Sequence, residues 1–503
     1  MRAALMNENM SGSPRTDARA RDDRIDKYMR GGRDFIDDAA IEDRLAARRD
    51  PDAAWVRDVI AKAMDIKTLT PDETAALLNV RDPDLWAEME SAAGAIKKKV
   101  YDNRIVTFAP LYLSNLCVNN CLYCGLRREN AAIERRTLGM DEIRREVEAL
   151  CGDIGHKRLV VVYGEHPVSD VRYMVESIEA IYGVKVKTKN GWAQIRRVNV
   201  NAAPLGVEDL KTLARAGLGT FQVFQETYHH KTYAEVHPGN TIKANYPWRA
   251  YCMHRAMEAG VDDVGIGALF GLYDWKFEVM GLLHHAIELE EVFGIGPHTI
   301  SFPRLEPAES TPFVQQPRHG VSDADFRKAI TVIRLAVPYT GMILTARENA
   351  KLRREMIPLG VTQTDASSRI GVGAYGKSGD GSQQSNIQQF MLGDTRSLDD
   401  VIRELAEMGF ITSFCTAGYR CGRTGKSIMG LLRSGKEGQF CKLNAVLTFR
   451  EWLDDFASDA TMEIGEKLIA KEIEEVRRGM PGFYESFIGC YERTKNGERD
   501  LYF

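Results

Sequence analysis

Six of the nine cysteines in this 503-residue chain fall into two groups of three. The first group is Cys117, Cys121 and Cys124, and the second is Cys415, Cys421 and Cys441. An odd number of cysteines argues against a fully paired set of disulfides, and clustered cysteines in a reducing compartment are more often metal ligands. Both groups are therefore candidate metal sites.

The first group has the spacing Cys-x-x-x-Cys-x-x-Cys. Three thiolates can hold three irons of a [4Fe–4S] cluster and leave the fourth iron open to a small molecule. An open iron can bind the amino and carboxylate groups of S-adenosylmethionine (SAM), and one electron then cleaves SAM to a 5′-deoxyadenosyl radical. The alternative is a structural zinc site, but zinc needs four ligands, and neither His nor Cys occurs within ten residues after Cys124.

Eight short apolar runs alternate with amphipathic helical stretches in the middle of the chain, which predicts a parallel α/β barrel of the (β/α)₈ TIM type. Catalytic residues of such barrels lie at the C-terminal ends of the strands, and the first cysteine group follows the first run. The predicted strands are Ile105–Leu113, Arg158–Val162, Arg197–Val200, Gly219–Phe224, Asp263–Ile266, Thr299–Phe302, Gly341–Leu344 and Val361–Thr364.

Four segments are predicted along the chain. Residues 1–24 are polar and indicate a disordered tail. Residues 25–104 have helical periodicity, with a capping box at Thr70-Pro71-Asp72-Glu73, and indicate a helical N-terminal extension. Residues 105–380 form the barrel, and residues 381–503 form a mostly helical C-terminal domain that carries the second cysteine group.

Composition indicates an ordinary globular protein. The net charge of −4 favours neither nucleic acid nor an anionic membrane as a partner. The sequence contains no apolar run of about 18 residues, so no membrane-spanning helix is predicted. Its N-terminus lacks the apolar core of a secretory signal, so a cytoplasmic location is predicted.

The sequence around the first group, LSNLCVNNCLYCGL, resembles the radical-SAM superfamily, whose motif places an aromatic residue before the third cysteine, as Tyr123 does. The resemblance implies a radical-SAM barrel with a [4Fe–4S] cluster and SAM as cofactors. It also implies that the ends of the second, third and fifth strands contact SAM. The residues are Gly164, Glu165, Asn199, Asn201, Gly265 and Gly267.

Further segments narrow the resemblance to the tyrosine lyases of that superfamily, which include 2-iminoacetate synthase and the HydG family of [FeFe]-hydrogenase maturases. This resemblance implies cleavage of the Cα–Cβ bond of L-tyrosine to p-cresol and dehydroglycine. The implied partners are a low-potential electron donor, such as ferredoxin or flavodoxin, and other hydrogenase maturases. The segments are RRVNVNAAP, FQETYH, DDVGIGALFGLYDWKFEV, GPHTISFPRLEPA, AVPYTGMILTARE and SFCTAGYRCGRTG.

An amino-acid substrate requires a cation for its carboxylate, and arginine offers a two-pronged donor. Arg304 is the first candidate and Arg347 the second. Glu226, in the segment FQETYH, is a candidate contact to SAM or to the substrate amine, with a structural ion pair as the alternative. For Tyr273 and Tyr375, core packing is favoured over a role in proton transfer.

The second cysteine group departs from the maturase pattern. Maturases use a CxxC pair and a later cysteine to bind a second iron–sulfur cluster with an extra iron, where dehydroglycine gives carbon monoxide and cyanide. Cys415 and Cys441 match two of these ligands, but Gly418 occupies the place of the third. Either Cys421 substitutes for it, or the second cluster is altered or lost and the reaction stops at dehydroglycine.

Two further questions remain open on the sequence alone. The family picture includes a histidine for the extra iron, and His284, His285 and His298 are candidates. A non-catalytic iron–sulfur scaffold is a third interpretation of the whole chain. The predicted SAM-binding strand ends argue against it.

Overall fold

The computed structural model describes residues 25–239, 241–376, 383–434 and 437–503, so the predicted tail over residues 1–24 lies outside the described residues. Eight parallel strands close into a barrel because the last strand pairs with the first. In chain order they are β1 (Arg104–Ser114), β2 (Arg158–Tyr163), β5 (Arg197–Asn201), β6 (Phe221–Gln222), β7 (Val264–Gly267), β8 (Thr299–Ser301), β9 (Gly341–Leu344) and β10 (Gln363–Asp365). Strands β3 (Val186–Lys187) and β4 (Trp192–Ala193) form a separate antiparallel hairpin.

Helices follow most barrel strands and cover them from outside, so the strands are buried almost throughout. Burial on both faces explains why the strands read as continuous apolar runs. The helices are α5 (Met140–Glu148), α6 (Val171–Tyr182), α7 (Val207–Arg215), α8 (His230–Val236), α9 (Tyr246–Ala250), α10 (Cys252–Glu258), α11 (Trp275–Phe293), α12 (Asp323–Ala336) and α13 (Ala350–Met356).

Four helices precede the barrel and pack on its outer helices α11 and α12. They are α1 (Asp38–Ala47), α2 (Ala53–Met64), α3 (Pro71–Asn79) and α4 (Pro83–Tyr101). The predicted capping box is present at the start of α3, where Thr70 and Glu73 satisfy each other's backbone N–H groups.

The C-terminal region covers the end of the barrel at which the strands begin, here called the floor. Strand β11 (Ile411–Ser413) pairs in parallel with the first residues of β1. On α17, the buried Glu451 lies 3.2 Å from Lys157 and 2.8 Å from Arg196, which precede β2 and β5. The helices here are α14 (Leu398–Glu407), α15 (Ala417–Arg420), α16 (Gly425–Arg433), α17 (Glu437–Phe456), α18 (Asp459–Gly479) and α19 (Pro481–Lys495).

All eight predicted barrel strands are confirmed, and so is the helical character of both flanking regions. The sequence did not predict the β3–β4 hairpin or strand β11, which are two or three residues long. The domain limits at 104/105 and 380/381 remain predictions. No helix in the described ranges is long and apolar enough to cross a membrane.

Candidate active site

The first cysteine group lies on the loop after β1, at the C-terminal end of the barrel. Cys117, Cys121 and Cys124 all line one pocket in the barrel mouth, together with the ends of most barrel strands. The prediction from sequence that these three thiols lie at the catalytic end of the barrel is therefore confirmed.

Hydrogen bonds from several elements fix this loop. Arg135 donates to the carbonyls of Asn115, Leu126 and Arg127 at 2.7, 2.9 and 2.6 Å. Backbone N–H groups of the loop donate to Glu165, Val236 and Gln389. The Gln389 amide also donates to the Cys124 sulfur at 3.4 Å. These partners come from distant parts of the sequence, so the loop is shaped by the fold and not by its own residues alone.

Burial raises the pKa of all three thiols. Without iron the thiols are therefore protonated at neutral pH, and binding a cluster must displace these protons. The described residues contain no trio of His, Cys, Asp or Glu side chains already placed around a common metal position. The assignment of the cysteines as cluster ligands thus depends on where they lie in the fold. The first group lines the pocket, and the second lies at the floor.

Three of the six predicted SAM contacts line the pocket and three do not. Gly164, Glu165 and Asn201 line the pocket, and Asn119 donates to the Glu165 carboxylate at 2.5 Å. A Cβ on Gly164 would lie 2.1 Å from the Leu116 carbonyl, so only glycine lets the end of β2 approach the cysteine loop. Asn199 lies deeper in the barrel, where its side chain accepts from the Thr220 N–H at 3.0 Å.

The two glycines of β7 are explained by packing. A Cβ on Gly265 would lie 2.6 Å from the Thr299 hydroxyl, and one on Gly267 would lie 2.7 Å from the Phe224 ring. Neither glycine is among the residues that line the pocket. Their contact with the adenine of SAM stays a prediction.

Glu226 lies in the pocket within a cluster of charges. Its carboxylate is 3.1 Å from both Lys243 and Arg249. Burial opposes its ionisation, but the two cations outweigh burial and lower its pKa. Its φ of 75° is in the left-handed region, which is strained for a residue with a side chain and is typical of functional sites. The buried Glu278 holds the following turn by accepting from the Tyr228 N–H at 2.9 Å.

Arg304 and Arg347 differ in what they contact. Arg304 is bound by Glu348, by Asp323 at 2.8 Å and by the Val321 carbonyl, and it does not line the pocket. Arg347 lines the pocket, and its guanidinium stacks on Phe390 at 3.3 Å from the ring centre. This placement favours Arg347 over Arg304 as the cation that meets a substrate.

The second cysteine group lies at the floor, at the opposite end of the barrel. Cys415 follows β11 and is 3.6 Å from the Arg104 guanidinium, while Cys441 is buried on α17. Cys421 is exposed, with its sulfur 3.5 Å from the Phe503 main-chain oxygen. A Cβ on Gly418 would meet nothing closer than 3.8 Å, so the backbone there leaves room for a side chain to begin.

Three buried arginines lie on the floor, one of them beside Cys415. Arg104, Arg158 and Arg197 begin β1, β2 and β5, and each is at most 8% exposed. Asp263 is the buried carboxylate that faces them, and Tyr419 packs under the Arg197 guanidinium. An anionic group beside these arginines would be stabilised by their charge.

The three candidate histidines lie in different parts of the fold. His298 is near Asp263, Arg158 and Arg197, on the floor. His285 bonds to Tyr228 at 2.9 Å, and His284 faces a cleft beneath the N-terminal segment. Of the three, His298 lies closest in the fold to the second cysteine group.

Both candidate tyrosines are structural. The Tyr273 hydroxyl donates to Glu42 at 2.8 Å, and the Tyr375 hydroxyl donates to the Pro110 carbonyl at 2.9 Å. Sequence reasoning did not identify several other residues that line the pocket. They are Tyr112, Lys243, Arg249, Glu306, Gln389 and Phe390.

Comparison with known proteins gives consistent matches. The Radical SAM superfamily matches residues 111–282, and the Biotin and Thiamin Synthesis associated domain matches residues 301–411. A crystal structure of HydG, a maturase of the [FeFe]-hydrogenase, is 47% identical, with a TM-score of 0.88, over 93% of this chain and 100% of that one. HydG from Carboxydothermus hydrogenoformans is 37% identical, with a TM-score of 0.76, over 91% and 97%. The 2-iminoacetate synthase of Escherichia coli (strain K12) is 29% identical over 352 residues, which are 70% of this chain and 88% of the relative.

Proposed function

The chain belongs to the HydG family of [FeFe]-hydrogenase maturases within the radical-SAM enzymes, and on this basis we propose that it is a tyrosine lyase. The proposed reaction cleaves the Cα–Cβ bond of L-tyrosine to p-cresol and dehydroglycine. Dehydroglycine is then converted to carbon monoxide and cyanide, bound to iron, for assembly of the [FeFe]-hydrogenase active site. The observation that carries the proposal is the placement of the three thiols of the first group around one pocket, with charged residues suited to an amino acid.

The pocket fits a cluster and SAM. Cys117, Cys121 and Cys124 would hold the cluster, and Glu165 and Asn201 would meet SAM. When bound, the cluster and SAM supply the 5′-deoxyadenosyl radical. Several buried polar atoms of the pocket lack a hydrogen-bond partner among the described residues, which suits a polar ligand. They are Gln222 Nε2, Ser301 Oγ and Thr345 Oγ1.

Substrate binding requires a cation for the tyrosine carboxylate. Arg347 lines the pocket without an ion-pair partner in the described structure, so its donors are available for a two-pronged contact. Arg304, by contrast, already forms ion pairs with Glu348 and Asp323, and its role would be to hold the loop after β8 in place. Glu226 forms ion pairs with Lys243 and Arg249 and would partly neutralise these two cations in the pocket.

A second cluster is proposed at the floor, with Cys415, Cys421 and Cys441 as ligands and His298 as the candidate for the extra iron. The buried arginines there suit an anionic thiolate-bound cluster. Cys421 follows Gly418 by three residues and its N–H bonds to the Ala417 carbonyl at 3.1 Å, so the two positions lie on neighbouring turns of one helical face.

The second candidate function is a tyrosine lyase that stops at dehydroglycine. It is favoured by Gly418 and by the exposed position of Cys421, which contrasts with the buried Cys441. The proposed partners are a low-potential electron donor, such as ferredoxin or flavodoxin, and the other hydrogenase maturases.

Product analysis tests these functions. Reconstituted protein with SAM, reductant and L-tyrosine is expected to give 5′-deoxyadenosine, p-cresol, carbon monoxide and cyanide. Formation of p-cresol without carbon monoxide or cyanide would support the shorter reaction. A protein that reduces its cluster but forms no 5′-deoxyadenosine would instead be an iron–sulfur scaffold, and both enzymatic proposals would be wrong.

A further inference from the structure

One wall of the pocket carries two opposite charges that do not form an ion pair with each other. Glu306 lies on the loop after β8, and Arg347 lies on the loop after β9. In the described structure the Glu306 carboxylate takes part in no hydrogen bond or ion pair. The other carboxylates of the pocket are different. Glu226 has two cationic partners, Glu165 accepts from Asn119, and Asp365 accepts from the Ala346 N–H at 2.6 Å.

The isolation of Glu306 has a structural cause. Arg304, two residues earlier, is the cation nearest in sequence, but its guanidinium is committed to Glu348 and Asp323. Arg347 is held over Phe390 and donates to the Arg304 carbonyl at 3.4 Å. Burial and the Glu348 charge raise the pKa of Glu306 to about 7, although Arg347 and Arg304 act to lower it. The fold thus leaves a carboxylate facing the pocket with its charge unsatisfied.

An α-amino acid would satisfy both groups at once. Its carboxylate suits Arg347, and its ammonium group, one carbon away, suits a neighbouring carboxylate. We propose that Glu306 binds the α-ammonium group of the substrate amino acid and accepts one proton from it. This inference rests on the proposed function, because it assumes that the pocket receives an amino acid.

The proton transfer is balanced and needs no other reactant. One N–H bond of the ammonium group breaks, an O–H bond forms on the Glu306 carboxylate, and no atom is oxidised or reduced. The products are a neutral amine beside a neutral carboxyl group, while Arg347 retains its charge opposite the substrate carboxylate. Removing one buried ion pair in this way is favourable in a desolvated pocket.

Binding of two ligands to the SAM-loaded holoenzyme tests the proposal. The ligands are L-tyrosine and 3-(4-hydroxyphenyl)propanoate, which lacks only the amine, and binding is measured by calorimetry. Glu306→Gln is expected to weaken tyrosine binding about tenfold or more while changing the deaminated ligand by less than about twofold, because an amide cannot take up the ammonium proton and the deaminated ligand carries no such proton. Glu309→Gln, on the same loop but outside the pocket, is the matched control and should change neither.

The pH dependence gives a second readout. Tyrosine binding by the wild type should weaken as the pH falls below about 7, as Glu306 takes up a proton and loses its charge. The charged groups that face Glu306 are Glu348, Arg347 and Arg304. Glu306→Asp should retain this dependence, and Glu306→Gln should lose it.

The outcomes separate this proposal from the proposed function. If the wild type binds tyrosine and Glu306→Gln weakens both ligands equally or neither, the role of Glu306 is wrong and the lyase proposal stands. If the wild type prefers another amino acid, only the assignment of tyrosine as substrate is wrong. The role of Glu306 is then tested by comparing that amino acid with its deaminated form in the wild type and in Glu306→Gln. A wild type that binds no amino acid overturns both.

Discussion

The two cysteine loops lie at opposite ends of one barrel and differ in how they are held. At the mouth, Cys117, Cys121 and Cys124 face one pocket, and side chains such as Arg135 and Gln389 fix the loop between them. At the floor, Cys441 is buried, Cys415 is half-buried and Cys421 is exposed. Neither trio is already placed around a common metal position in the described residues, so the two ends differ in how their loops are held and in how evenly their cysteines are buried.

The first prediction separates the two ends by their products. Cys121→Ala is expected to abolish formation of 5′-deoxyadenosine and p-cresol, a loss of at least about a thousandfold, because the radical depends on the first cluster. Cys441→Ala, the matched change at the floor, should leave both products and remove carbon monoxide and cyanide. Chromatography of the products with iron analysis measures both. Loss of 5′-deoxyadenosine in Cys441→Ala would show that the two ends are not independent.

A second prediction tests which arginine of the mouth binds the substrate. Arg347→Gln should raise KM for tyrosine by about 30- to 100-fold, the value of a two-pronged charged contact. Arg304→Gln should leave KM nearly unchanged but destabilise the fold by about 3 kcal/mol, because it leaves the buried Glu348 unpaired. Steady-state kinetics and chemical unfolding of both variants provide the test. A large KM effect in Arg304→Gln with little loss of stability would reverse the assignment.

The mouth was largely predictable from sequence and the floor was not. The Cys-x-x-x-Cys-x-x-Cys spacing and the strand that precedes it are local features, so the cluster loop and the barrel followed from the residues themselves. Gly164 and Glu165 follow a recognisable strand, and the resemblance to the radical-SAM superfamily predicts that they contact SAM. A local sequence pattern therefore predicts the position of residues that lie on one strand and the loop that follows it.

Residues brought together by the closed barrel left no such pattern. Lys243, Arg249 and Glu306 are single charged residues outside any recognisable motif, and only the fold shows that they share a pocket. The sequence favours Arg304 over Arg347 although both follow a predicted strand, and only the ion pairs of Arg304 with Glu348 and Asp323 distinguish them. At the floor, the proximity of His298 to the second cysteine group depends on β11 pairing with β1, which the sequence did not predict.

A third prediction concerns the altered ligand position. Cys421→Ala should lower the iron content by about four atoms per chain if Cys421 completes the second cluster. Adding Gly418→Cys to that variant should restore the iron, because a side chain at position 418 meets no close neighbour. Iron analysis and electron paramagnetic resonance are the measurements. Equal iron and identical spectra in wild type and Cys421→Ala would exclude Cys421 as a ligand.

The smallest expected effect is a difference in pH sensitivity between the two ends. At the floor, burial opposes ionisation of Glu451, but Arg196 and Lys157 lower its pKa from 4.5 to about 2. The Glu451 ion pairs stabilise the fold by on the order of 3 kcal/mol above pH 4.5, and this stabilisation is lost as the pH falls towards 2.

Near the mouth, burial opposes protonation of His230, but Asp34 and Asp38 raise its pKa from 6.5 to about 9. Its contribution is present below pH 6.5 and is lost as the pH rises through about 9.

Because the His230 side chain is 38% exposed, solvent screening should limit its contribution to less than about 1 kcal/mol. Hydrogen exchange should therefore show acid loosening α17 first and alkali loosening the start of α1 first. Glu451→Gln and His230→Gln are the matched variants, and each should remove the pH dependence at its own end only. If α17 loosened in alkali as readily as in acid, the Glu451 ion pairs would not be what fastens the C-terminal helices to the floor.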